Sequence, residues 1–193
     1  MSFTLALKAS APDFDLPGTD GKRYSLGSFK DARLLLVVFW CNHCPYVIGT
    51  EEKLTNLALQ CAPEGLRVVA INSNSAENHP EDSMEGMIAR AHAKNYSFPY
   101  LRDEKQEAAR VFGAMRTPHF FLFDQERKLR YTGRMDDNPK FPEKVTTQEL
   151  KNAIDALVAG EEPSLGVTNP IGCNVKWSGK PEKWMPPEAC DLV

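Results

Sequence analysis

The chain has 193 residues, a formal net charge of −3 from 23 basic and 26 acidic side chains, and 42% hydrophobic residues. That is an ordinary globular composition, long enough to bury a core, and no block of like charge marks a surface for nucleic acid or an anionic membrane. The N-terminal ten residues lack a basic stretch ahead of an apolar one, and the longest apolar run, Leu34 to Cys41, is too short to cross a bilayer. The expectation is a cytoplasmic protein with neither nucleic acid nor membrane as partner. Five cysteines at irregular spacing do not make a secreted disulfide framework, so they read as reactive, metal-binding or buried.

In chain order, Ala11–Pro17 and Lys22–Leu26 flank the turn Gly18-Thr19-Asp20-Gly21 and predict an N-terminal hairpin. Leu34–Trp40 is uninterruptedly apolar, the pattern of a central strand covered on both faces. Leu54, Leu57, Ala58 and Cys61 recur at helical spacing, so a helix starts at Cys41 and Cys44 and stops near Pro63-Glu64-Gly65. Leu66–Ile71 is a second buried strand. Ser83 then caps a helix to about Lys94, with Met84, Met87, Ile88 and Ala91 along one face.

A shorter helix follows from Asp103 to Phe112, with Gly113 as its stop, and then a hairpin of Phe120–Phe123 and Lys128–Thr132. Thr146 and Glu149 have the spacing of a capping box for a helix that runs to Gly160. Beyond it, Pro163, Pro170, Pro181, Pro186 and Pro187 discourage regular structure. The reading is α/β: one domain over residues 1–160, with a mixed sheet and helices on both faces, and a tail over 161–193 packing on it.

The chemistry concentrates in Trp40-Cys41-Asn42-His43-Cys44-Pro45, where a buried strand gives way to a helix. Two cysteines separated by two residues at a helix start come within bonding reach. The unpaired N–H groups there favour thiolate at Cys41, and a protonated His43 adds to that. On this reading Cys41, at the exposed helix tip, is the nucleophile and Cys44 resolves the mixed disulfide. Asn42 and His43 argue for an exposed turn, and His43 makes the pair a weaker reductant by stabilising its dithiol. A structural zinc normally needs two further ligands at matching spacing, and the remaining cysteines and histidines are scattered, so no metal is assigned.

Several strings together resemble the thioredoxin-like superfamily, in its redoxin branch with the alkyl hydroperoxide reductase/thiol-specific antioxidant proteins and the thiol-disulfide reductases. They are Ala11-Pro12-Asp13-Phe14, Phe39 to Pro45, Arg116-Thr117-Pro118, Phe121-Leu122-Phe123-Asp124 and Tyr131-Thr132-Gly133. The resemblance implies a thioredoxin-like fold and a redox-active dithiol that needs no cofactor. It also implies a disulfide substrate, protein or small molecule, and an external thiol reductant or reductase. It places Pro118 at the cis-proline facing the site, with the Thr117 backbone free to pair with an extended substrate. Two departures stand out. No acid lies on the strand before the motif, and Val38 occupies the position where peroxiredoxins carry a Thr or Ser. Thiol-disulfide exchange is therefore the leading function, with a thiol peroxidase or a thiolate metal-binding or metal-delivery protein as alternatives.

Trp40 is expected to shield the dithiol. Cys61 reads as a buried thiol and Cys190 as a free, accessible one. Cys173 sits in the island Pro170-Ile171-Gly172-Cys173-Asn174-Val175-Lys176-Trp177. It has two readings: a third thiol that the tail brings to the pair, or part of a pin that fixes the tail to the domain.

Overall fold

The computed structural model describes residues 4–187. Strands β1 (Asp15–Pro17) and β2 (Arg23–Ser25) form the N-terminal hairpin. Then come β3 (Leu34–Phe39), α1 (Pro45–Cys61), β4 (Leu66–Asn72), α2 (Met84–Ala93), β5 (Tyr100–Arg102) and α3 (Glu107–Phe112). The chain continues through β6 (Arg116–Thr117), β7 (His119–Phe123), β8 (Leu129–Gly133), α4 (Glu149–Val158) and β9 (Cys173–Asn174).

The five-stranded main sheet runs β5-β4-β3-β7-β8. Its first three strands are parallel, and β7 and β8 run antiparallel to their neighbours. The centre of this α/β sheet is β3, all six of whose residues are buried. Because successive side chains point to opposite faces, Leu34, Leu36 and Val38 pack with Leu54, Met87, Leu150 and Ile154 of α1, α2 and α4. Leu35, Val37 and Phe39 pack on the other face with Ala108 and Phe112 of α3 and with Phe14 and Phe29. An apolar run without alternation is what such two-sided burial requires.

The stops follow local chemistry. After α1, a 3-10 turn over Ala62–Glu64 ends at Gly65 with φ 90°, and α3 ends at Gly113 with φ 64°. Both are left-handed positions where a missing Cβ is an advantage. Ser83 caps α2 by accepting the Gly86 N–H at 3.2 Å. Of the face expected for α2, only Met87 is buried, and Ile88 is exposed.

The expected capping box at Thr146 does not form. Thr146 donates both its N–H and its hydroxyl to the Asp137 carboxylate, while Glu149 turns to Arg134. Bonds to a charged partner outweigh a neutral cap, and α4 starts at Glu149 without a side-chain cap.

Beyond α4 the chain runs back over the domain. Val167 bridges to Thr132 beside β8, and β9 pairs antiparallel with β6, placing Thr117 opposite Cys173 and Arg116 opposite Asn174. Val175 and Trp177 then enter the α3 side of the core. No helix among the described residues is long and apolar enough to cross a membrane. Cys190 lies outside the described residues.

Candidate active site

Between the end of β3 and the start of α1, residues 40–44 cross the top of the sheet. The Trp40 N–H continues the ladder to the Ile71 carbonyl at 2.8 Å, and Cys44 is the N-cap of α1 with Pro45 in its first turn. Proline suits that place because its φ is already helical and its missing N–H has no partner to lose.

Cys41 and Cys44 are both fully buried, and their sulfurs converge on one residue, Thr117. The Cys41 thiol lies 3.2 Å from the Thr117 hydroxyl, and the Cys44 thiol donates to the Thr117 carbonyl at 3.0 Å. The Thr117–Pro118 peptide bond is cis. Trp40 lies in the same core cluster as both cysteines, and its indole N–H donates to the Tyr96 hydroxyl at 3.1 Å. Tyr96 in turn donates to Glu51, which Arg90 grips with two N–H groups at 2.8 and 2.9 Å.

Two expectations are corrected here. Cys41 is not at an exposed helix tip, because α1 begins only at Pro45 and Cys41 lies in the crossing segment beneath Thr117. Nor is Asn42–His43 an exposed turn: Asn42 is buried and the His43 side chain is only 12% exposed.

What buries them is Asp82, which arrives from the loop before α2 with a side chain fully shielded from solvent. Its carboxylate accepts the Asn42 N–H and His43 Nδ1, both at 2.6 Å, and the amides of Asn72 at 3.1 Å and Asn74 at 3.2 Å. Asn42 also gives its amide to the Glu81 carbonyl and receives the Tyr100 hydroxyl at 3.0 Å. The His43 ring stacks on His79 with centroids 3.7 Å apart, and its buried Nε2 has no hydrogen-bond partner among the described residues. Cys41, His43 and Asp82 offer atoms that all lie within 4.8 Å of one another.

These surroundings set the acidities. Burial pushes the Cys41 thiol well up, and the hydrogen bond with Cys44 and the nearby Asp82 charge push the same way. Cys44 is held low by hydrogen bonds from Cys173 and Cys41, against its own burial. The Thr117 carbonyl is the contact that still wants a proton on that sulfur. The lowered thiol pKa expected at Cys41 is thus not found there; of the two, Cys44, the cysteine that actually caps α1, is the one held below the ordinary value. For Asp82, burial works upward, but the hydrogen bonds led by His43 overcome it and leave the carboxyl below its ordinary value.

The tail closes the site. Cys173 is half-buried, packs against the cluster that holds both cysteines, and pairs opposite Thr117, which both sulfurs reach. All the residues singled out in the sequence (Trp40, Cys41, Asn42, His43, Cys44, Thr117, Pro118 and Cys173) therefore meet in one place. Asp82 was not anticipated. In Pro80-Glu81-Asp82-Ser83 it reads as an ordinary acid ahead of a helix, and its only signal is the missing acid on β3.

Comparison with known proteins agrees with this geometry. No curated protein matches the chain. A hypothetical protein from Sinorhizobium meliloti is 42% identical over 92% of this chain and 97% of its own, with a TM-score of 0.86. An uncharacterized conserved protein from Geobacillus kaustophilus is 39% identical over 93% of this chain and 96% of its own, at 0.87. A putative thiol:disulfide interchange protein DsbE from Chlorobium tepidum is 25% identical over 67% of this chain and 85% of its own, at 0.55. The Redoxin family pattern matches residues 6–154, most of the chain. With a thioredoxin-like sheet and the dithiol at its strand-to-helix crossing, the protein belongs to the Redoxin family.

Proposed function

We propose that the protein is a thiol-disulfide oxidoreductase whose working group is the Cys41–Cys44 dithiol. The observation that carries this is the convergence of both sulfurs on Thr117 at the start of α1. Cys41 gives up its proton and attacks a substrate disulfide, forming a mixed disulfide and releasing one substrate thiolate. Cys44 then attacks Cys41, closing the Cys41–Cys44 bond and releasing the second. An external thiol reductant restores the dithiol, and no cofactor takes part.

The Thr117 hydroxyl is placed to donate to the Cys41 thiolate, which offsets part of its burial. Cys44 is held below the ordinary thiol value, which suits a resolving thiol because more of it stands ready as thiolate. His43 Nδ1 is bonded to the Asp82 carboxylate at 2.6 Å, and the Asp82 charge beside Cys41 works against the stable dithiol expected from His43. Equilibration in glutathione or dithiothreitol buffers, with thiol trapping, tests the reading. A reversible Cys41–Cys44 disulfide supports it, and no such disulfide at any poise removes it.

One observation favours a second reading, a thiol peroxidase. The strand position of Val38 carries no hydroxyl, but Thr117 brings one to Cys41 from another element. Rapid oxidation of Cys41 by a hydroperoxide, faster than by a small disulfide, would select that reading.

A further inference from the structure

Two fully buried sulfurs raise a question of access, because thiol-disulfide exchange needs a collinear approach of the outside thiol to the sulfur it attacks. Among the described residues the Thr117 backbone, one side of such an approach, is already taken. Strand β9 pairs with β6 there, with Cys173 opposite Thr117.

This docking is built, and not incidental. At Gly172 a Cβ would stand 2.3 Å from the Thr117 carbonyl, so only glycine lets the tail come this close. Arg116 bonds the Asn174 side chain, and the Val175 N–H donates to the Met115 carbonyl at 3.2 Å. The Lys176 N–H donates to the Asn74 side chain at 2.8 Å, and its carbonyl receives the Ser75 N–H at 2.7 Å and the Gln106 amide at 2.8 Å. Val175 and Trp177 are buried beyond it. The tail thus presents one thiol, half-buried, against the dithiol cluster.

We propose that Cys173 is a third redox thiol through which the buried pair exchanges electrons with external thiols, by way of a Cys44–Cys173 disulfide. This rests on the oxidoreductase reading above. Cys44 donates to the Thr117 carbonyl, and Cys173 is paired opposite Thr117, which makes Cys44 the sulfur that changes partner. In the step, Cys173 gives up its proton and its sulfur attacks Cys44 in the Cys41–Cys44 disulfide. The Cys44–Cys173 bond forms as the Cys41–Cys44 bond breaks, and Cys41 leaves as thiolate and takes up a proton. No net electrons move; the disulfide is relocated from two buried sulfurs to one that solvent reaches. A thiol of the glutathione class then attacks Cys173, and a second closes the reduction as glutathione disulfide, leaving three thiols.

The test is disulfide mapping on the full chain. The protein is equilibrated with oxidised glutathione, quenched in acid, alkylated, digested and read by mass spectrometry. The expected result is a Cys44–Cys173 cross-link beside Cys41–Cys44 in the wild type, and Cys44–Cys173 as the intramolecular disulfide of Cys41→Ser. Cys173→Ser should lose reduction rate of its Cys41–Cys44 disulfide by glutathione, by about tenfold or more, since access limits exchange. A wild type that forms Cys41–Cys44 but never Cys44–Cys173, with Cys173→Ser reduced at the wild-type rate, overturns the relay and leaves the oxidoreductase standing. A wild type that forms no intramolecular disulfide overturns both. The wild-type map needs no variant to fold.

Discussion

The dithiol has two walls, and they are built on opposite principles. On one side Asp82 holds the Asn42–His43 bridge through a buried charge and four hydrogen bonds. On the other, β9 holds the Thr117 side through backbone pairing, a glycine contact and the buried Val175 and Trp177. The first wall tunes: it places charge near Cys41 and fixes the motif's conformation. The second covers, through a tail outside the main sheet whose Val175 and Trp177 anchor it in the α3 side of the core. Breaking either wall separates the two roles.

The largest effect is expected at the charged wall. Asp82→Asn removes a buried carboxylate that accepts four hydrogen bonds and mismatches the donors around it, and each hydrogen bond to a charged group is worth about 1.5–3 kcal/mol. Urea unfolding should show that loss. The variant that remains folded should also favour the dithiol more than wild type does, because a negative charge has left the neighbourhood of Cys41.

Gly172→Val attacks the covering wall. Its side chain would press on the Thr117 carbonyl, an overpacking cost of about 1–3 kcal/mol. Since the tail can move off instead, the global midpoint should fall less than for Asp82→Asn, while alkylation of Cys44 in the folded protein speeds up. A midpoint loss as large as that of Asp82→Asn, with Cys44 still protected, would show that β9 does not leave β6 short of unfolding.

A smaller effect sharpens the contrast through pH. The Asp82 carboxyl is held below its ordinary value in the fold, so as pH falls the unfolded chain takes up that proton first. Its contribution is complete above the ordinary carboxylate value, about 3.9, and is lost as pH falls through the lower folded value. Glu51, also held low by Arg90 and Tyr96 against its burial, loses stability in the same range. The difference between wild type and Asp82→Asn therefore isolates Asp82: their stability gap should narrow below about pH 4. A gap that stays constant to pH 2 would remove the charge argument.

The two walls also differ in how far the sequence revealed them. Leu34–Phe39 reads as a central strand because burial on both faces leaves nothing polar, and the cysteine pair reads from its place at the strand's end. Thr117-Pro118 and the Cys173 island are visible as strings, yet only the fold pairs them, because β6 and β9 are two residues each and carry no periodicity. Likewise β5 is three residues with no alternation. Asp82 is illegible for a different reason: a carboxylate's burial depends on donors from Asn42, His43, Asn72 and Asn74, which no local pattern brings together. The Thr146 capping box failed on the same kind of distant competition, from Asp137.

Whether Cys41 and Cys44 form a working redox couple is read most directly from their reduction potential. Metal-free protein is equilibrated across glutathione and dithiothreitol poises, trapped with an alkylating reagent, and followed by the Trp40 emission beside the pair. A reversible two-electron transition of the Cys41–Cys44 disulfide is expected in the wild type, absent for that disulfide in Cys41→Ser. A protein that forms no intramolecular disulfide at any poise would contradict it, and the cluster of Cys41, His43 and Asp82 would then be read as a metal site.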